Sequence, residues 1–197
     1  MLPSMLFFIL TFPNVMNSEE LRFVYSAEQG YDTSCGLSTL ACLLDTYWSV
    51  PADELSLANE FLSSKMAHGD FTTSFADMET ILKAKGFAFA AYTMNFDQLR
   101  TALSKFAPVL VHYDRPEGHF ALALAIVDDR VVTADPAEGT VARERRDFES
   151  MWSGKVLLAT MLKDRVRSDL TDEAVASVFG REALLDRAAI RTAIGLW

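Results

Sequence analysis

The chain has 197 residues, half of them apolar, and a formal net charge of −9. That length supports one domain with a real core and leaves room for an arm and a tail. The acidic balance offers no phosphate-binding stripe, and the basic tract RERR at 143–146 is short enough to read as a solvated strand end, so nucleic acid is not an expected partner.

The chain opens on an uncharged stretch that contains MLFFILTF (Met5–Phe12), with the first charge at Glu19. The run is far shorter than the ~20 residues that span a bilayer. It suits the apolar core of a secretory signal, although no Lys or Arg precedes it. Residues 1–18 are therefore expected to be a signal peptide or a hydrophobic arm. The expected location is exported, periplasmic or extracellular, and otherwise cytoplasmic, with no stable membrane span. No phosphate-loop motif GxxxxGK[ST] is present.

After the arm, apolar residues at helical spacing (Leu37, Leu40, Ala41, Leu44, Tyr47) predict a helix from Cys35 to Trp48. A second helix is expected over 51–64 and a loop over 66–73. Ser74 with Asp77 forms a capping box for a third helix, which Gly86 ends. FAFAAYT (87–93) reads as a strand, and Asn95 starts a short helix with Leu99 and Leu103 on one face. From Pro108 the period changes to strands: 108–114, then 119–126 and 130–136 as a hairpin around Asp128 and Asp129, then 140–145. A helical turn at 148–152 and a last strand at 155–162 follow. Helices first and an antiparallel sheet after them is an α+β order. The domain is expected over 19–163, and 164–197 as an amphipathic helical tail that crosses the domain or binds a partner.

Two cysteines occur, Cys35 and Cys42, seven positions apart in the first helix. Seven helical residues rise about 10 Å, whereas a disulfide needs Cα atoms within about 7 Å, so the pair does not bridge. With three scattered histidines and no CxxC or HxxxH pair, neither a metal site nor any other cofactor is expected. A cysteine nucleophile acts as its thiolate, and a helix N-terminus or a neighbouring imidazolium favours that form. Cys35 stands where the loop QGYDTSCG enters the helix, with Gly36 allowing close approach, while Cys42 lies among Leu40, Leu43 and Leu44 as a core residue.

His68 falls in a loop and His112 inside a strand, where surface or packing roles are expected. His119 opens a strand after the loop RPEG. A two-residue turn at 128–129 sets it opposite about residue 138, and a slip of a few positions brings it to Asp135. Ala121, Ala123 and Ala125 share the parity of His119, while Phe120, Leu122, Leu124 and Ile126 face the other way. The small-residue face is expected to receive the Cys35 helix. Gln29, in the loop before Cys35, offers a side-chain amide to an oxyanion.

Gln29, SCG at 34–36, GHF at 118–120 and DP at 135–136, in this order, resemble the C39 family of papain-like cysteine peptidases, known for cutting leader peptides after a double glycine. GDFTTSFADMETILKAKGF (69–87) resembles the family's middle helix, and the likeness runs from about Gln29 to Leu162. The resemblance implies a papain-like α+β fold with Cys35 as nucleophile, His119 as base, Asp135 as the residue that orients it, and Gln29 as oxyanion donor. It also implies a polypeptide substrate cut after glycine, in a cleft for which Tyr31 and Phe120 are candidate walls. Two departures stand out: Ser34 replaces the Asp that precedes the cysteine in many members, and no exporter segment accompanies the domain. The chain is thus most similar to stand-alone C39-like proteins, some of which accompany secretion of fibre-forming proteins. The alternative is a catalytically silent peptide-binding module of a secretion system, or acyl transfer by the same residues.

Overall fold

The computed structural model describes residue 17 and residues 20–114, 118–161 and 166–193. Apart from Asn17, the expected signal peptide or arm lies outside the described residues, as do residues 115–117 of the RPEG loop and 194–197 of the tail. In chain order the elements are α1 (Glu20–Phe23), α2 (Cys35–Ala41), α3 (Glu54–Phe61), α4 (Ser63–Met66), α5 (Phe75–Ala84), β1 (Ala88–Thr93), α6 (Phe96–Phe106), β2 (Val109–Tyr113), β3 (His119–Val127), β4 (Arg130–Asp135), β5 (Gly139–Glu144), α7 (Arg145–Met151), β6 (Trp152–Thr160) and α8 (Ser168–Ala193). Helix α2 runs on through a π-helical stretch, Cys42–Tyr47. The strands form one antiparallel sheet in the order β1-β6-β2-β3-β4-β5.

Local chemistry starts and stops these elements. Ser74 and Asp77 close a reciprocal capping box on α5, and Asn95 and Gln98 do the same on α6. Gly86, just beyond α5, sits at φ +84, where an L side chain is strained. Asp128 and Asp129 both take positive φ, the two-residue turn that matches strand twist.

A bulge between Ala123 and Ala125 decides which residues face which layer. Val127, Ile126 and Ala125 pair with Arg130, Val131 and Val132; beyond the bulge Ala123 pairs with Thr133 and Leu122 with Ala134. Phe120, Leu122, Leu124 and Val132 join the core under α2, α3 and α5, with Leu37, Leu40, Met78 and Ile81. Ala121, Ala123, Val131 and Ile126 join the opposite core, with Phe96, Leu99 and Phe148. The expectation that the alanine face receives the Cys35 helix is therefore corrected. The alanines leave room for the bulky inner face of α6, while α2 lies on the large-residue face, tied down where Thr39 Oγ1 donates to the Phe120 carbonyl at 3.0 Å. The bulge also moves Ile126 out of the layer its sequence parity assigned.

The tail lies across the domain. Ala174 and Val178 of α8 enter the core, Arg130 donates to both oxygens of Glu182 at 2.8 and 2.6 Å, and Arg181 donates to the Thr140 carbonyl at 2.6 Å. Among the described residues no helix is long and apolar enough to cross a membrane.

Candidate active site

Cys35 is the first residue of α2, and its side chain is partly exposed. Ser34 before it is buried; its hydroxyl donates to the Tyr31 carbonyl at 2.8 Å and accepts the Tyr31 N–H at 3.2 Å. That hydroxyl is thus spent on the loop, and no side chain caps the first turn of α2. At Gly36 a Cβ would lie 2.8 Å from both Thr73 Cβ and Met78 Cε. The absence of a side chain lets the segment before α5 press against the start of α2 and form a wall beside the thiol.

His119, at the first position of β3, and Asp135, at the last of β4, meet at one end of the sheet. The bulge shifts the register by one step rather than several, so Asp135 reaches His119 diagonally. The Asp135 side chain is 1% exposed. Its Oδ1 accepts His119 Nε2–H and the Ala137 N–H, each at 2.9 Å, and its backbone carbonyl accepts the Ser26 hydroxyl at 2.9 Å. Burial alone would raise the Asp135 pKa, but the hydrogen bond and charge of His119, the Ala137 N–H and Arg143 hold it below the usual value. An ionised carboxylate only accepts, so Nε2 carries a proton, and the ring also interacts with the Cys35 side chain. Burial would lower the His119 pKa, yet Asp135 and Cys35 push it up to about 9. The ring stacks on Tyr113, centroids 5.9 Å apart.

A raised histidine stabilises the fold fully below its ordinary pKa of about 6.5 and loses that contribution as pH climbs through its folded value. The depressed Asp135 contributes above the ordinary Asp value and loses this only as pH falls through its own folded value. The pair is therefore expected to stabilise most in mildly acid solution. Urea midpoints of the wild type should converge on those of His119→Ala as pH rises from about 6.5 through about 9, the window given by the His119 shift. A difference that stays constant across that range would contradict the coupling.

Gln29 is held beside this pair. Its backbone N–H donates to the Pro136 carbonyl at 3.0 Å. One Nε2–H donates to the Tyr31 carbonyl at 3.2 Å, and Oε1 is buried without a hydrogen-bond partner among the described residues. The second Nε2–H remains for another acceptor. Glu54 of α3 fixes this loop to the Cys35 helix: its Oε2 accepts the Gly30 N–H at 2.9 Å and the Ser38 hydroxyl at 2.7 Å.

Cys35, His119, Asp135 and Gln29 all line one cleft of about 620 Å³. Its far wall is aromatic: Phe120 lies 5.2 Å from Phe75 and 4.9 Å from His112, centroid to centroid. Tyr31, a candidate wall in the sequence, instead stacks on Phe71 at 4.0 Å and does not line the cleft. His112 does line it, a placement compatible with the surface or packing role expected from the sequence. So does Arg143, whose side chain is only 12% exposed rather than solvated; its Nη2 lies 3.5 Å from Asp135 Oδ2 and 2.7 Å from Glu138 Oε1. The one sequence signal for Arg143 is strand alternation after Gly139, which turns every second residue of β5 toward β4's buried partners. His68 lies elsewhere, its Nδ1 2.9 Å from the Ser64 carbonyl. Among the described residues no cluster of His, Cys, Asp and Glu could hold a metal ion.

The two cysteines differ sharply. Cys42 is 3% exposed, and burial pushes its pKa up to about 11. An alkylating reagent at neutral pH is expected to modify Cys35 well before Cys42, read by mass spectrometry of peptides from the folded protein. Equal labelling would contradict this placement.

A helix that opens on a cysteine, packed on an antiparallel sheet whose hairpin supplies a histidine and an acid, is the papain-like peptidase fold. The chain belongs to the Peptidase C39 family, whose profile matches residues 24–164. Among solved structures, the peptidase domain of Streptococcus ComA, a bi-functional ABC transporter of a quorum-sensing pathway, superposes with a TM-score of 0.60 at 16% identity, covering 70% of this chain and 98% of that domain. A double-glycine-motif protease from an AMS/PCAT transporter, in complex with its leader peptide, gives 0.53 at 14% identity, covering 71% and 90%. Two relatives are described as probable functional amyloid protease FapD. The one from Pseudomonas aeruginosa is 27% identical over 75% of this chain and 65% of its own length. That from Pseudomonas fluorescens is 30% identical over 74% and 64%. The chain thus spans just under two thirds of the length of these relatives.

Proposed function

We propose that the protein is a cysteine peptidase that cuts a polypeptide after glycine. The observation that carries the reading is the cleft that brings together the Cys35 thiol and the His119 imidazole, which is hydrogen-bonded to the buried Asp135 carboxylate. Cys35 Sγ attacks the substrate carbonyl carbon. The oxyanion that develops is met by the free Nε2–H of Gln29 and the uncapped N–H of Cys35 at the start of α2. The C–N bond breaks as His119, imidazolium at neutral pH, gives its proton to the leaving amine. Water then attacks the thioester, His119 takes its proton, and the carboxylate product leaves with Cys35 restored.

The aromatic wall of Phe75, His112 and Phe120 supports glycine before the cut, because a substrate side chain there would compete with the rings for space. The relatives named as amyloid proteases support a fibre-forming protein as the substrate. The run Met5–Phe12 supports an exported enzyme, and N-terminal sequencing of native protein should then find a start between about residues 15 and 20. The deciding experiment is mass spectrometry of the protein mixed with polypeptides encoded by neighbouring genes, with Cys35→Ala as control. Products ending in glycine that require Cys35 are expected. Binding of such a polypeptide with no cleavage would leave the silent binding module in its place, and cuts after large or charged residues would remove the glycine preference.

A further inference from the structure

The second histidine of the cleft has a defined proton. Ser153 Oγ donates its one hydrogen to the His112 carbonyl at 2.8 Å. The same oxygen accepts the Lys155 N–H at 3.2 Å and lies 3.0 Å from His112 Nδ1. A hydroxyl whose hydrogen is already placed can only accept from the ring, so His112 carries its proton on Nδ1. Burial and Lys155 hold the His112 pKa below its ordinary value, with Asp114 opposing and His119 reinforcing, which favours the neutral ring. Nε2 is therefore a bare lone pair. It makes no hydrogen bond among the described residues and lies 3.6 Å from where a Cβ of Gly118, also a lining residue, would stand.

This acceptor stands in apolar company. Phe75 and Phe120 flank the ring, with centroids 5.9 and 4.9 Å away, and Phe120 comes within 3.3 Å of the Cβ position of Gly36, next to the nucleophile. An extended peptide pressed on that wall loses water from its backbone N–H groups, and each one left without a partner weakens binding. We propose that His112 is a substrate-binding residue whose unprotonated Nε2 accepts a hydrogen bond from one backbone N–H of the polypeptide in the cleft. The proposal deepens the peptidase reading and rests on it for the nature of the ligand.

The test uses a synthetic decapeptide centred on Gly-Gly-Ala, with its backbone amides N-methylated one at a time. Binding is measured to Cys35→Ala protein, with and without His112→Phe, and kcat/KM is measured with Cys35 in place. At one position N-methylation should weaken binding about tenfold in the protein that keeps His112 and have no further effect once His112→Phe is present. His112→Gln, which can accept through its amide oxygen, should recover part of the loss. Equal sensitivity with and without His112 at every position would overturn the proposal. Nitrogen-15 spectra of the resting full chain supply a second readout, since an Nε2–H tautomer of His112 would overturn it without any peptide. Binding that depends on His112 together with no cleavage by the wild type would instead remove the peptidase reading, so the two failures are distinguishable.

Discussion

Cys35→Ala is expected to reduce cleavage by about 10⁶-fold, the scale on which removing the nucleophile of a catalytic triad acts, while leaving circular dichroism and the unfolding midpoint close to wild type. The side chain lost is partly exposed at the mouth of a cleft and supports no core contact that a methyl group would not keep. Cys42→Ala is the informative control. Cys42 is buried among the leucines that follow Cys35, with Sγ 3.9 Å from the Tyr25 carbonyl and from Thr46 Oγ1. Its loss should cost on the order of 1 kcal/mol of stability and leave turnover unchanged. Turnover that survives Cys35→Ala, or that disappears with Cys42→Ala in a folded protein, would remove Cys35 from the mechanism.

Asp135→Asn is expected to cost between about 10² and 10⁴-fold in kcat/KM, the upper figure being that of the same change in a serine triad. The local geometry gives the reason. Asp135 Oδ1 takes hydrogen bonds from both His119 Nε2–H and Ala137 N–H, while Oδ2 faces the Arg143 guanidinium. An asparagine that keeps its oxygen toward His119 turns its NH₂ against Arg143, donor to donor. The flipped amide turns NH₂ against the imidazole and the Ala137 N–H, which forces His119 into the wrong tautomer. Either way the imidazolium loses the negative charge that raises its pKa, and the alkaline limb of the pH profile, where His119 gives up its proton, should move to lower pH as activity falls. Asp128→Asn and Asp129→Asn, at the hairpin tip, should be nearly silent. Both positions hold positive φ, which asparagine tolerates, and Asp129 gives up only an exposed ion pair with Arg100. Activity lost in the tip variants and kept in Asp135→Asn would contradict the meeting of β3 and β4 described above.

Much of the fold was legible because its signals are local. The capping boxes at Ser74 and Asn95, the glycine at 86 and the paired aspartates of the turn each act within four residues of chain, so the sequence placed α5, α6 and the β3–β4 hairpin closely. Cys35, His119, Asp135 and Gln29 were named from residue kind and order, and the structure brings all four to one cleft. The layer assignment failed at Ala123–Ala125 because a single-residue bulge inverts parity and leaves no mark in composition. The choice of face for α2 failed separately, because alternation separates Phe120, Leu122 and Leu124 from Ala121 and Ala123 without saying which set α2 covers.

Sequence by itself determined the family, the order of elements and the residues with reactive side chains, since those depend on side-chain identity, short-range capping and alternation. Tertiary structure decided what surrounds them. His112 is an acceptor in the cleft only because β6 brings Ser153 against β2. Arg143 stands behind Asp135 only because β5 pairs with β4. Glu54 ties the Gln29 loop to the Cys35 helix only because α3 packs on α2. A polar group's protonation and its partner are set by what long-range pairing places within about 3 Å of it, and the order β1-β6-β2-β3-β4-β5 cannot be read from strands taken one at a time.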